Sequence, residues 1–150
     1  MNKVLLSSKN MNWCTPQDFF DRLNTEFNFV LDAAATNESA KCANYYTPET
    51  DGLNSSWNVG GAVFCNPPYG RNICKWVKKA YEEAQKGVTV VMLIPARTDT
   101  SYFHDYIYNQ AEIRFVRGRL KFTDEDGNAK ASAPFPSMVV IWNSKEYEDE

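Results

Sequence analysis

The sequence predicts one α/β domain with a mainly parallel central sheet. Two strand-like runs flank an amphipathic helix between residues 62 and 94, which together make a β-α-β unit. The second of these runs, Val88–Ile94, is apolar except for Thr89, as is typical of a strand covered on both faces. The chain has 150 residues, of which 43% are hydrophobic and 14% aromatic, so it is long enough for one core and too apolar for disorder.

The first element is predicted to be a helix that begins at Thr15-Pro16. Threonine is a favourable N-cap, and proline suits the first helical position. Apolar residues then recur on one helical face, namely Phe19, Phe20, Leu23 and Phe27. A short buried strand, Phe29–Leu31, follows and ends at Asp32.

The middle of the chain is predicted to hold a shortened part of the sheet. Residues 33–61 are mostly small and polar and leave no room for a long helix between two strands. Ala62–Cys65 is the second predicted strand, and it runs directly into two prolines. A helix from Ile73 carries apolar residues at spacings of three and four, and Gly87 ends it.

The second half is predicted to contain one more helix and three more strands. The helix is indicated by Tyr102, Phe103, Tyr106 and Ile107, with Thr98 or Asp99 as its cap. The strands are Ile113–Val116, Leu120–Phe122 and Met138–Trp142.

The charged residues are unevenly distributed along the chain. The chain has 16 basic and 19 acidic residues, and its net charge of −3 excludes a uniformly basic nucleic-acid binder. Four of the acids lie within residues 146–150, so the remainder is close to neutral. We expect a single domain over residues 1–150, with a loose lead-in at 1–12, an acidic tail at 144–150 and no separate recognition domain.

The composition predicts neither a metal site nor a membrane span. His104 is the one histidine, and the four cysteines contain no C-x-x-C pair, so reduced structural thiols are expected. No apolar run approaches the roughly 18 residues of a membrane span, and no signal-peptide pattern is present. We therefore expect a cytoplasmic protein.

The residues Asn66-Pro67-Pro68-Tyr69 are the most informative in the chain. They follow a buried strand, where α/β sheets place their ligand sites. Two prolines remove two backbone donors and fix two φ angles, which leaves a rigid loop that presents acceptors. The Asn66 side-chain oxygen and the Pro67 carbonyl suit a planar exocyclic amine, and positive charge that develops on that nitrogen would strengthen both bonds. Tyr69 is predicted to stack on the base.

This loop resembles the amine-methylating motif of the methyltransferases that act on adenine N6. Five further motifs extend the resemblance over residues 12–142, to the small phage-type DNA N6-adenine methyltransferases related to Dam. These motifs are Trp13-x-Thr15-Pro16, Leu31-Asp32-Ala33-Ala34, Asp51-Gly52-Leu53, Pro95-Ala96-Arg97-Thr98-Asp99-Thr100 and Gly118-Arg119-Leu120-Lys121-Phe122. The resemblance implies a Rossmann-like class I methyltransferase fold, with Asn66, Pro67, Pro68 and Tyr69 as the catalytic residues.

The resemblance also implies S-adenosylmethionine as the cofactor. Asp32 would bind the methionine ammonium, Asp51 the adenine amine, and Leu53 the adenine ring. The alanines after Asp32 stand where the family usually has glycines, and they are small enough for a cofactor to approach the backbone. The implied cofactor-binding residues are Trp13, Thr15, Pro16, Asp32, Ala33, Ala34, Asp51, Leu53 and Asn66.

Double-stranded DNA is the implied partner, with an adenine flipped out of the helix. The implied DNA or base contacts are Tyr69, Arg97, Arg119, Lys121 and Phe122, and the acidic turn at 124–127 is expected to face away from the DNA. Only 19 positions separate Asp32 from Asp51, which leaves the acid that binds the ribose open between Glu38 and Glu49.

Two alternatives remain open at this point. The same amine chemistry would serve a methyltransferase for RNA adenine or for protein glutamine. A DNA-binding remnant of the fold without activity is the second alternative. The recognition sequence, the preferred methylation state and the oligomeric state do not follow from the residues.

Overall fold

The computed structural model describes residues 13–130 and 132–143. The predicted lead-in at 1–12 and acidic tail at 144–150 lie outside the described residues. The described residues form two α-helices, a 3₁₀ turn, a π-helical turn and five strands. Their order is α1 (Gln17–Phe27), β1 (Phe29–Asp32), 3₁₀ turn (Gly52–Asn54), β2 (Ala62–Cys65), α2 (Ile73–Gln85), β3 (Val90–Pro95), π-helical turn (Phe103–Ile107), β4 (Glu112–Phe115) and β5 (Ser137–Trp142).

The strands form one sheet in the order β1-β2-β3-β5-β4. The first three are parallel neighbours, whereas β5 pairs antiparallel with both β3 and β4. Four strands therefore run in one direction and only β5 is reversed, which confirms the predicted α/β class with a mainly parallel sheet. The carboxyl ends of β1, β2 and β3 meet at one edge, the edge at which such sheets bind ligands.

The sheet is shortened beside β1, as the spacing predicts. The segment 33–61 contributes no strand, and only Tyr45 forms a single parallel bridge to Asp32. The Asp32 N–H donates to the Asn44 carbonyl at 3.0 Å, and the Tyr46 N–H donates to the Asp32 carbonyl at 3.0 Å. Two backbone bonds thus take the place of a full strand at this edge of the sheet.

The core lies on both faces of β3 and β5, which are buried along their whole length. Helix α2 covers one face with Ile73, Trp76, Val77, Ala80 and Ala84. Glu83 is buried on the same helix, and its role is described below. The four cysteines form no disulfide. Within residues 13–130 and 132–143, the structure contains no helix long and apolar enough to cross a bilayer.

Three local predictions are wrong, because other contacts replace the expected ones. Thr15 is not the N-cap of α1: Pro16 precedes the helix without a side-chain capping bond, and the Thr15 hydroxyl contacts Asn66 instead. The turn near Phe103 is capped by the Thr100 hydroxyl, at 3.3 Å from the Phe103 nitrogen, rather than by residue 98 or 99. Residues 120–122 form no strand, because they belong to a loop that folds back onto residues 13–15.

Candidate active site

A cavity of about 240 Å³ opens at the carboxyl ends of β1 and β2. The segments that line it are 13–15, 32–36, 46–48, 51–52 and 66–68, together with Phe64, Ser39, Lys41, Trp76 and Glu125. Four sequence motifs that are far apart in the chain therefore meet in one place. The predicted site residues that line the cavity are Trp13, Thr15, Asp32, Ala33, Ala34, Asp51, Asn66, Pro67 and Pro68.

Asn66 is held in one orientation by the segment before α1. Its Nδ2 donates to the Trp13 carbonyl and, at 3.0 Å, to the Thr15 hydroxyl. A carbonyl oxygen can only accept, so this contact fixes which end of the amide carries the nitrogen. The opposite atom, Oδ1, is buried and has no hydrogen-bond partner among the described residues. The amide thus presents a free acceptor at Oδ1. This is unusual, because buried polar atoms seldom lack a hydrogen-bond partner.

Asp32 is 3% exposed at the end of β1. Its Oδ2 accepts from the Lys41 N–H at 3.0 Å, and its Oδ1 accepts more weakly from the Ala34 N–H at 3.4 Å. Burial raises the pKa of this carboxyl to about 7, and the two N–H contacts offset that rise only in part. A buried acid of this kind is a strong partner for a ligand cation, because no solvent competes for it.

The loop that carries Asp51 is fixed by its backbone. Asp51 has a φ of +58°, and its Oδ2 accepts from the Asn54 side-chain nitrogen at 2.6 Å. Gly52 lies so close to β1 that a Cβ there would sit 2.2 Å from the Ala33 carbonyl oxygen. Only glycine fits at that distance, which explains the Asp51-Gly52 pair of the sequence motif.

The buried carboxylate of Glu83 supports this loop through Trp57. The indole N–H of Trp57 donates to the Gly52 carbonyl at 2.8 Å, and the Trp57 backbone N–H donates to Glu83 Oε1 at 2.7 Å. The other oxygen of Glu83 contacts Lys86 at 3.0 Å and Lys79 at 3.4 Å. Sequence reasoning missed both Trp57 and Glu83, since a glutamate on a helix ordinarily faces solvent.

The aromatic residues assigned to the base are buried. Tyr69 is 7% exposed, does not line the cavity, and donates its hydroxyl to the Leu93 carbonyl at 3.0 Å. Phe122 is 0% exposed and packs edge-on against Trp13 and Tyr69. In this conformation the rings of Tyr69, Phe122 and Phe135 pack against one another, and the base contacts of Tyr69 and Phe122 stay predictions.

Four other predicted residues lie outside the cavity lining. Pro16 and Leu53 flank lining residues without lining the cavity themselves. Glu38 and Glu49 are both exposed, and neither lines the cavity. The cavity lining therefore does not distinguish between them as the acid that binds the ribose.

The predicted DNA-binding cations lie on the surface. Arg97, Arg119 and Lys121 are exposed, and within the described segments none of them forms an ion pair. Arg97 follows β3 and is therefore near the edge of the sheet that bears Asn66. Arg114 differs from these three, because it makes a two-bond contact with Glu26, at 2.7 Å for each bond.

One residue of the acidic turn at 124–127 contributes to the cavity. Glu125 lines the cavity, because Thr123 and Cys14 exchange two backbone hydrogen bonds of 3.0 and 3.1 Å that dock the turn onto the segment before α1. Lys41, Trp76 and Glu125 are lining residues without any local sequence signal. Within residues 13–130 and 132–143, no group of three His, Cys, Asp or Glu side chains could hold a metal ion.

The comparison with known families agrees with this geometry. The sequence model of the family described as DNA N-6-adenine-methyltransferase (Dam) matches residues 3–149. The chain belongs to the Dam family. The match covers each of the six motifs, including the Asn66 loop and the two acids of the cavity. Membership explains why motifs from four parts of the chain converge on one cavity, and it supports the Rossmann-like methyltransferase fold.

Two curated proteins show the same relationship. The DNA N-6-adenine-methyltransferase of Escherichia phage T1 is 36% identical over 120 residues, which cover 79% of this chain and 50% of the phage protein. The putative methyltransferase YfdM of Escherichia coli strain K12 is 44% identical over 63 residues, which cover 38% of this chain and 69% of that protein. This Dam-family chain therefore spans about half the length of the phage relative.

Proposed function

We propose that the protein is an S-adenosylmethionine-dependent methyltransferase that acts on N6 of adenine in DNA. The observation that carries the proposal is the orientation of Asn66. Its Nδ2 is committed to Trp13 and Thr15, so Oδ1 is a buried acceptor without a partner at a cavity wall. An unpaired acceptor is costly in a folded protein unless a ligand donor pairs with it, and an exocyclic amine is such a donor.

The cavity walls fit the cofactor. Asp32 and Asp51 are acids in separate parts of the lining, as suits the ammonium and the adenine amine of S-adenosylmethionine. The small side chains of Ala33 and Ala34 leave the backbone after β1 accessible. When bound, this cofactor supplies a methyl group activated by a positively charged sulfur. The phage T1 relative carries the name of a DNA N-6-adenine-methyltransferase, which supports adenine in DNA as the acceptor.

The chain's own residues would position the amine and stabilise its charge. Asn66 Oδ1 and the Pro67 carbonyl each accept one N–H of adenine N6, which turns the nitrogen lone pair out of the base plane. These bonds strengthen as positive charge develops on the nitrogen in the transition state. Pro67 and Pro68 keep both acceptors in place, because their φ angles are fixed. Reaching this loop requires the adenine to leave the duplex, at a cost of a few kcal/mol.

The surface cations are proposed to bind the DNA backbone. Arg97, Arg119 and Lys121 have free charges on the surface and are suited to phosphate contacts, which position a duplex without reading its sequence. The net charge of −3 implies that this binding is weak and sensitive to salt. Such a substrate would place the enzyme in the cytoplasm of a bacterial host.

The proposal is tested by transfer of a labelled methyl group from S-adenosylmethionine to three acceptors. Unmethylated double-stranded DNA is expected to accept label as N6-methyladenine. RNA of the same sequence and a glutamine-containing peptide are expected to stay unlabelled. Labelling of RNA or peptide alone would replace the proposed substrate with one of the alternatives. Absence of labelling in all three, together with absence of cofactor binding, would favour a remnant without activity.

Replacing Thr15 by valine is expected to lower the rate constant kcat by roughly tenfold. Valine has nearly the same shape but cannot accept the Asn66 N–H, so the loss is that of one hydrogen bond, about 1–1.5 kcal/mol. Serine keeps the acceptor and is expected to restore kcat. Initial rates at saturating DNA and cofactor measure the effect. A change confined to the KM for the cofactor would show that Thr15 contacts the cofactor and does not orient Asn66.

Cofactor affinity is expected to fall as the pH drops below about 7. The pKa of Asp32 is raised to about 7 by burial, so the side chain is neutral below that pH and cannot pair with an ammonium. The stability of the ligand-free protein has the opposite pH dependence. Its free energy of unfolding decreases as the pH rises from about 4, the usual carboxyl pKa, toward 7. Titration calorimetry with S-adenosylhomocysteine at several pH values measures the expected change in affinity. Asp32→Asn is expected to bind more weakly and without that pH dependence.

A further inference from the structure

The cavity has an uneven distribution of charge. Among the described residues that line it, Asp32, Asp51 and Glu125 are acids, and Lys41 is the one lysine or arginine. A ligand that ends in an α-amino acid carries an ammonium and a carboxylate on the same carbon. An acid and a cation side by side suit such a ligand, and Lys41 is the lining residue that can supply the cation.

Lys41 is tied to Asp32 by its own backbone. Its N–H donates to Asp32 Oδ2 at 3.0 Å, which places a cationic side chain next to the buried carboxylate although the two residues are nine positions apart. This bond fixes the position from which the lysine side chain extends. Asp32 and Lys41 are thus neighbours in the cavity lining.

The side-chain charge of Lys41 is not neutralised by another residue. Its Nζ donates to Gln17 Oε1 at 3.0 Å, and Gln17 in turn donates to Asp21 at 2.8 Å. Gln17 is a neutral amide, and no ion pair within the described part of the chain includes Lys41. The ammonium group therefore lies at the first turn of α1, where its hydrogen bond is to a neutral amide and not to a carboxylate.

We propose that Lys41 binds the carboxylate of the methyl donor's amino-acid end, while Asp32 binds its ammonium. This inference rests on the proposed function. Lys41 then acts as a specificity residue: it favours ligands with a complete α-amino acid over nucleosides that lack one. The adenine end, near Asp51 and Gly52, is bound independently of it.

The test compares two neutral thioethers by titration calorimetry on the full chain. S-adenosylhomocysteine has the amino acid, and 5′-methylthioadenosine does not. Lys41→Met is expected to weaken binding of S-adenosylhomocysteine by about tenfold, as expected for one charge-assisted hydrogen bond, and to leave 5′-methylthioadenosine unchanged. Lys41→Arg is expected to recover most of the affinity. Lys75→Met, on the exposed face of α2, is the matched control and is expected to bind both ligands as the wild type does.

The outcomes separate the inference from the proposed function. An equal loss for both ligands, or no loss for either, in a Lys41→Met protein with an unchanged melting temperature would overturn the role of Lys41. Failure of the wild-type protein to bind either thioether would instead overturn the proposed function. A selective loss for S-adenosylhomocysteine that arginine restores supports the inference.

Discussion

Replacing Asn66 by alanine is expected to lower the rate of methyl transfer to DNA by about 10²–10³-fold, the usual loss on removing one aligned transition-state hydrogen bond. The substitution removes the buried Oδ1 acceptor and also frees the Trp13 carbonyl and the Thr15 hydroxyl. Initial rates at saturating labelled cofactor measure the effect. Cofactor affinity is expected to change much less, because Asp32 and Asp51 stay in place.

The matched control is Asn58→Ala, an exposed asparagine in the loop before β2. It is expected to leave the rate unchanged, since its side chain does not line the cavity. A folded Asn66→Ala protein that transfers methyl groups at the wild-type rate would contradict the assigned mechanism. A loss shared equally with Asn58→Ala would indicate a general effect on folding.

Replacing Glu83 by alanine is expected to lower the free energy of unfolding by about 3 kcal/mol, the scale of breaking a buried charged contact. Burial alone would raise the pKa of Glu83. The Trp57 N–H and the ammonium groups of Lys86 and Lys79 outweigh that effect, so the pKa lies below its usual value and the buried side chain is charged. Alanine would leave the buried Trp57 N–H without its partner.

Urea denaturation followed by tryptophan fluorescence measures this change. The exposed neighbour on the same helix provides the control, since Glu82→Ala is expected to shift stability by no more than about 0.5 kcal/mol. Equal denaturation midpoints for the two variants would show that Glu83 does not support the fold. Weaker cofactor binding by the Glu83 variant is expected as well, because Trp57 holds the Gly52 carbonyl.

The sheet and the reactive loop could be predicted from local patterns. Apolar runs of strand length, an amphipathic helix and a proline pair after a strand are all short-range features. They predicted the strand–helix–strand unit that the structure forms at Ala62–Cys65, Ile73–Gln85 and Val90–Pro95. Parallel strands bring their carboxyl ends to the same edge, so the meeting of Asp32 with the Asn66 loop also followed from the sequence.

The direction in which loop side chains point could not be predicted in this way. Phe122 and Tyr69 were expected to contact the base, and in the structure their rings are buried and pack with Phe135. Glu125 lines the cavity, which no local pattern indicated. The positions of Phe122 and Glu125 depend on the bridge between Cys14 and Thr123, which are 109 positions apart. No periodicity over a few residues carries information about such a contact.

Sequence alone therefore determined the fold class, the position of the cavity and the residue types at its reactive end. Tertiary structure decided how those residues are oriented. Asn66 shows the difference most clearly: the sequence places an amide after the strand, but only the contacts with Trp13 and Thr15 decide that its oxygen is the free end. The physical reason is that an amide has a donor at one end and an acceptor at the other, so its orientation depends on partners more than 50 residues away.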